Sequence, residues 1–143
     1  MEKNIDPMWV RYFIKDKNFE ETKVGKWMYF FKKDELLRAD ELCRKAIEQN
    51  VVSSCKHTHF DVFGELETGV CCFYLHFDDN EGHKKVLKYF LDNNMIPKTK
   101  AGKYYNISFK KNEQTLSREY GDAYHSEIKL EQFIDLFTGK WIK

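Results

Sequence analysis

Two hydrophobic periodicities alternate along this chain, and their order restricts its fold more than any other feature. Residues 8–15 are rich in Trp, Val, Tyr, Phe and Ile, the polar stretch 16–23 follows, and residues 25–31 form a second run of the same kind. Clustered β-branched and aromatic residues bounded by polar segments predict two strands. From Asp34 the period becomes helical, with Leu36, Leu37, Leu42, Cys43, Ala46 and Ile47 on the repeat, acids early, Arg44 and Lys45 late, and Asn50 as the stop. Residues 51–63 alternate loosely, Gly64 and Gly69 bracket a turn, and residues 70–77 are a nearly continuous apolar run suited to a central strand.

Asp78, Asp79 and Asn80 offer caps for a second helix. It carries Val86, Leu87, Phe90 and Leu91 on one side and Lys84, Lys85 and Lys88 on the other, and Asn93, Asn94 and Pro97 end it. Residues 104–109 and 118–128 read as two further strands, and residues 130–137 as a short closing helix before Gly139. The order is strand, strand, helix, three times over. Hairpin-helix units of this kind do not supply the crossovers of a parallel sheet. They predict an α+β fold, a curved, mostly antiparallel sheet with about three helices on one face and the other face open. An open face lined with aromatic residues is a place to hold a ligand or a peptide.

A chain of 143 residues suits a single domain, 1–143, with one core. Aromatic residues reach 16%, which serves strands, large cores and base-stacking surfaces alike. Lys and Arg number 24 against 23 acids, a net charge of +1, so the whole-molecule field does not draw the chain onto a long nucleic acid and an anion site must be local. Cys43, Cys55, Cys71 and Cys72 lack secreted-type spacing and read as reduced thiols. Glu2, Lys3, Asn4 and Asp6 interrupt any apolar leader, and nowhere do eighteen apolar residues run together, so a cytoplasmic protein without a membrane partner is expected.

The run Gly25-Lys26-Trp27-Met28-Tyr29-Phe30-Phe31 leads into an acid-headed helix. With the Lys56 strand, the run 70–77 and the helix after it, residues 8–110 resemble the fold of translation initiation factor 4E. In that family two tryptophans sandwich a methylated guanine, an acid reads its edge and basic side chains hold the phosphates. Here Trp9 and Trp27 stand in strands rather than loops and no matching acid aligns, so cap binding is not carried over. The resemblance implies an open sheet face able to take a nucleotide-like ligand, or a helical back able to dock a partner. Tyr104-Tyr105-Asn106-Ile107-Ser108-Phe109-Lys110, with Glu119-Tyr120-Gly121 and residues 130–139, resembles small uncharacterised phage and prophage proteins. That implies a phage or mobile-element origin and no particular activity.

Three constellations carry chemistry. Residues 98–103 form a basic loop whose backbone can approach an anion at Gly102, with Tyr104 and Tyr105 following as stacking faces. Arg118 offers a bidentate phosphate contact, or a pair with its acidic neighbours. In Cys55-Lys56-His57-Thr58-His59, alternate residues share a strand face, but no fourth ligand or orienting shell accompanies them, so no metal and no cofactor is expected.

The reading these residues support is a non-enzymatic binding protein. It holds a nucleotide-like anionic ligand on or beside the open sheet face through Trp27, Lys56, His57, Lys103, Tyr104 and Arg118. The alternatives are a protein–protein interaction module or inhibitor of a host protein, and a small phosphoesterase-type enzyme using Cys55, His57 and His59. The last lacks the paired His-x-Thr or His-x-Ser strands that a two-histidine phosphoesterase needs.

Overall fold

A computed structural model describes residues 1–15, 20–59, 67–112 and 128–142. Its strands are β1 (Glu2–Ile5), β2 (Trp9–Phe13), β3 (Val24–Lys32), β4 (Ser54–Thr58), β5 (Thr68–His76) and β6 (Lys110–Lys111), and its α-helices are α1 (Leu36–Glu48) and α2 (Asn80–Asp92). The strands form a single curved, open sheet in the order β1-β2-β4-β5-β3-β6, every neighbouring pair antiparallel.

Strand alternation decides what each side chain faces. On β3, Trp27 and Phe31 point to the helices, as do Cys71, Phe73 and Leu75 of β5, Cys55 of β4 and Val10 and Tyr12 of β2. Ala39, Leu42, Cys43, Ala46 and Ile47 of α1, with Val86, Leu87, Tyr89 and Phe90 of α2, close that layer. Trp27 is 0% exposed, and the rings of His83 and Phe109 meet it edge-on at 5.8 and 5.7 Å. Gly25 makes this packing possible, because a Cβ there would stand 2.4 Å from the Phe109 ring. All four cysteines are free thiols.

Both helices end by the same device. Asn50 and Asn94 adopt left-handed backbone with φ of 58° and 54°. The following amides reach back, Val51 N to Ala46 O at 2.8 Å and Met95 N to Phe90 O at 2.9 Å, which satisfies carbonyls the helix leaves open. At the start of α2, Asp79 accepts a hydrogen bond from Gly82 N at 2.9 Å, the cap expected of it. No helix among the described residues is long and apolar enough to cross a membrane.

The expectation of about three helices is corrected to two α-helices among the described residues. Leu130, Phe133 and Ile134 are buried, as a helical spacing predicts, but the helical backbone is limited to a single 3-10 turn, Leu130–Gln132. Asp135 explains why. Its carboxylate accepts from the amides of Phe137 and Thr138 at 2.8 and 3.0 Å, and Gly139, at φ 75°, turns the chain so that Ile134 bridges Trp141. A side chain that binds nearby amides in this way competes with helix continuation.

The strand expected over residues 104–109 is likewise reduced to bridges of Lys98 with Tyr104 and Ser108 with Lys129, followed by the two-residue β6. The strand expected over 118–128 lies outside the described residues, Ile128 excepted. β1 was not foreseen, since all four of its residues are exposed and no alternation marks them.

Candidate functional site

The face of the sheet turned away from the helices carries the other set of alternating residues. Reading across the strands by register, one row runs Asn4, Arg11, Lys56, Cys72, Met28, and the next runs Glu2, Phe13, Ser54, Tyr74, Lys26, Lys110. Arg11 of β2 therefore stands directly across from Lys56 of β4, and Lys26 of β3 across from Lys110 of β6. Trp9 and Tyr74 lie among these cations. Lys56 Nζ sits 3.8 Å from the centre of the Trp9 ring and 5.8 Å from that of Tyr74, and Lys26 Nζ approaches Tyr74 to 5.9 Å.

Like charges placed opposite one another across two strands destabilise a sheet. On the helices, several cations are matched at i,i+4: Arg44 with Glu48, Lys45 with Glu41 and Lys88 with Asp92, each at 2.7 Å. Arg11, Lys26 and Lys56 form no ion pair within 4 Å of a described carboxylate, although Asp6 lies near enough to Arg11 and Lys56 for their charges to add to the backbone hydrogen bonds from Met8 and Trp9 that hold its carboxyl below the ordinary pKa. Among the described strand residues of this face, Glu2 at the outer edge is the one acid.

The side chains register that strain. Burial, and then the charge of Arg11, pushes the Lys56 ammonium below its ordinary pKa. Burial, and then Lys26, does the same to Lys110. Cys72 lies 2% exposed between the two cation pairs, its thiol pushed up by burial against the opposing pull of Lys26 and Lys56. The arrangement concentrates positive charge and ring faces on a half-buried surface, where a bound anion would be screened less than on an open one.

Beside it, along β3, a groove of about 490 Å³ is lined by Met28 and Phe30 together with Asn94, Met95, Pro97 and Ile107. Phe30 is 63% exposed. Lys110 lines the groove and also belongs to the basic row, so the two surfaces adjoin.

Of the residues singled out from sequence, Lys56 alone stands on this face. Trp27 and His57 are on the side covered by helices. Trp27 donates Nε1–H to His83 Nδ1 at 3.0 Å. The ring nitrogens of His57 face Asp40 Oδ1 at 2.8 Å and its neighbour Thr58 O at 2.9 Å, and Asp40 also accepts from the Tyr12 hydroxyl at 2.7 Å.

Lys103 and Tyr104 lie near the end of α2 and the C-terminal segment. Lys103 Nζ is 5.6 Å from the Phe137 ring, and Tyr104 N donates to Leu136 O at 2.8 Å. The loop before them is closed on itself, Gly102 N donating to Thr99 O at 3.0 Å, which occupies the amide that an anion would have used. Arg118 lies outside the described residues. Cys55 gives its thiol proton to Cys43 O, and His59 Nδ1 faces Asp6 O at 2.9 Å, so the Cys55, His57 and His59 trio does not converge.

Sequence reading missed Arg11, Lys26, Trp9 and Tyr74. A signal for the cations was present: in β2, β3 and β4 a basic residue sits in phase with the less apolar half of each alternation, Arg11 against Val10 and Tyr12, Lys26 against Trp27, Lys56 against Cys55. The chain matches no family model and no curated protein, so its reading rests on this geometry.

Proposed function

We propose that this is a non-enzymatic binding protein that holds a nucleotide-like anionic ligand on the open face of its sheet. Arg11, Lys26 and Lys56 take the negative charge, and Trp9 and Tyr74 offer ring faces to a base. The observation that carries the reading is the opposition of Arg11 and Lys56 across two hydrogen-bonded strands, without a described carboxylate paired to either. A fold alone gains nothing from such a pair. An anion bridging it removes the repulsion and gains charge-assisted hydrogen bonds. The resemblance to initiation factor 4E belongs to the same reading, supported by an antiparallel open sheet with helices on one side.

Calorimetric titration with nucleoside mono- and triphosphates and with pyrophosphate tests it. Binding is expected for the native chain and a loss of roughly tenfold or more for Arg11→Gln or Lys56→Gln, each removing a charge-assisted bond worth about 1.5–3 kcal/mol. Absence of heat with every one of these compounds refutes it. The groove along β3 favours a second reading, in which an apolar side chain of a partner protein seats between Met28, Phe30 and Ile107. Phe30→Asp should abolish such a contact.

A further inference from the structure

We infer that the outer edge of β3 docks an extended peptide of a partner protein, which adds to the sheet as a further strand beside Met28 and Phe30 and brings a carboxylate at its C-terminal end. The inference rests on the second reading above, the groove along β3, and names what fills it. The hydrogen-bond phase of β3 leaves this edge open. Lys33 N donates to Glu67 O at 2.9 Å and Phe77 N to Lys23 O at 2.8 Å, one residue beyond either end of the β3 and β5 pairing. Hydrogen-bonded positions recur at every second residue of an antiparallel ladder, so Gly25, Trp27, Tyr29 and Phe31 turn their amides and carbonyls to β5. Lys26, Met28, Phe30 and Lys32 turn theirs outward. Lys26 pairs with Lys110 of β6, and Lys32 N donates to the Glu35 carboxylate at 3.1 Å. The N–H and C=O groups of Met28 and Phe30 meet no hydrogen-bond partner among the described residues.

Continued, the β6 register would set Ser108 opposite Met28 and Asn106 opposite Phe30. The chain instead turns away from β3 there. Ser108 bridges Lys129, Phe109 N donates to Ile128 O at 2.9 Å, and Asn106 Oδ1 accepts from Glu131 N at 2.9 Å. The groove opens in the resulting fork, lined by Met28 and Phe30 of β3 and by Asn106, Ile107 and Ser108.

An open strand edge is a template for another extended backbone unless charge, proline or a bulge blunts it. From Trp27 to Phe31 the edge carries neither charge nor proline, and Phe30 is 63% exposed. A second copy of this chain does not fit. Pairing Met28 with Phe30 of another β3 sets Lys26 against Lys32, like charges face to face, and β6 of each copy covers the edge beside Lys26 that the other strand needs. A peptide does fit. Antiparallel to β3, as every neighbouring pair in this sheet is, its residues opposite Phe30 and then Met28 each exchange two backbone hydrogen bonds, and apolar side chains there cover the two exposed ones. In that direction its C-terminal end arrives at Lys26 and Lys110, whose charge a carboxylate complements.

NMR of the full chain with the peptide Thr-Val-Thr-Val-Thr, its valines intended for Phe30 and Met28, tests this. In the chain alone the amides of Met28 and Phe30 should exchange with solvent roughly tenfold or more faster than those of Trp27 and Tyr29, and saturating peptide should close that gap. N-methylation of both valines, which removes the amides aimed at β3, should weaken binding roughly tenfold or more, whereas N-methylation of the threonines, whose amides point away, should leave it unchanged. Amidation of the C-terminus should weaken it about tenfold.

Phe30→Pro removes an outward N–H at a position where an edge strand tolerates proline, and should weaken the peptide to the same degree. If that variant fails to fold, the N-methylated peptides carry the test on the native chain. Met28 and Phe30 amides as protected in the chain alone as those of Trp27 and Tyr29 overturn the inference, because the edge is then already paired. Equal binding of both N-methylated peptides overturns strand addition and leaves an apolar side chain in the groove standing. Absence of any shift with about 1 mM peptide overturns both, while nucleotide binding stands or falls by its own titration.

Discussion

Arg11→Glu should make this protein more stable while abolishing its binding. In the native sheet Arg11 and Lys56 face each other in register, and the Arg11 charge depresses the Lys56 ammonium after burial has already done so. A cross-strand charged pair contributes about 0.2–1 kcal/mol, favourable or unfavourable by sign. Reversing Arg11 removes one unfavourable pair and creates a favourable one, a gain of roughly 0.5–2 kcal/mol. For a chain of this size that raises Tm by roughly 2–8 °C. Differential scanning calorimetry at low salt measures it, and Arg11→Gln, which removes the charge without reversing it, should fall about midway. In 1 M salt the Debye length shrinks to about 3 Å and most of the gain should disappear. A lower Tm for Arg11→Glu at low salt, or a gain unchanged in 1 M salt, would refute the claim that repulsion on this face is carried for the sake of a ligand.

Three further outcomes follow from the geometry. Burial pushes the Asp40 carboxyl up, but hydrogen bonds from His57 and Tyr12 outweigh it and hold the pKa below the usual value. A carboxyl lowered on folding stabilises the native state fully above its unfolded pKa of about 4, and that contribution is lost as pH falls through the lower folded value. Asp40→Asn should therefore cost roughly 1–3 kcal/mol at neutral pH and flatten the acid limb of urea-unfolding midpoints measured from pH 6 to pH 2. Gly25→Ala places a methyl 2.4 Å from the Phe109 ring and 2.7 Å from Lys110 O, and overpacking of this kind should cost about 1–3 kcal/mol in denaturant titration. Asn50→Ala puts a Cβ without a compensating side chain into left-handed backbone and should lose about 1 kcal/mol, whereas Asn50→Gly should lose none, both read from thermal melts.

Much of the framework was legible without coordinates. Residues 25–31 lie within β3 and most of 70–77 within β5, Asp34 and Asp78–Asp79 precede the two helices, and Asn50 and Asn94 end them in the conformation that asparagine tolerates. These features depend on neighbours along the chain, within a turn of helix or a few residues of strand, and so they are written locally. The closing helix failed for an equally local reason, the Asp135 turn, whose side-chain hydrogen bonds outcompete a periodicity of only eight residues.

The binding face was a different kind of question. On β3 both halves of the alternation carry aromatic rings, Trp27, Tyr29 and Phe31 against Phe30, so hydrophobicity by itself leaves open which half the helices cover. Pairing β2 with β4 sets Arg11 against Lys56, and β6 completes the second cation pair, across separations of 45 and 84 residues. Sequence determined β2 to β5, the two helices and their stops, because short-range sterics and hydrogen bonds act between residues close along the chain. Only the tertiary structure decided that Trp27 and His57 are core and that cations from four strands share a face, because strand order and register arise from burying the whole sheet against two helices at once.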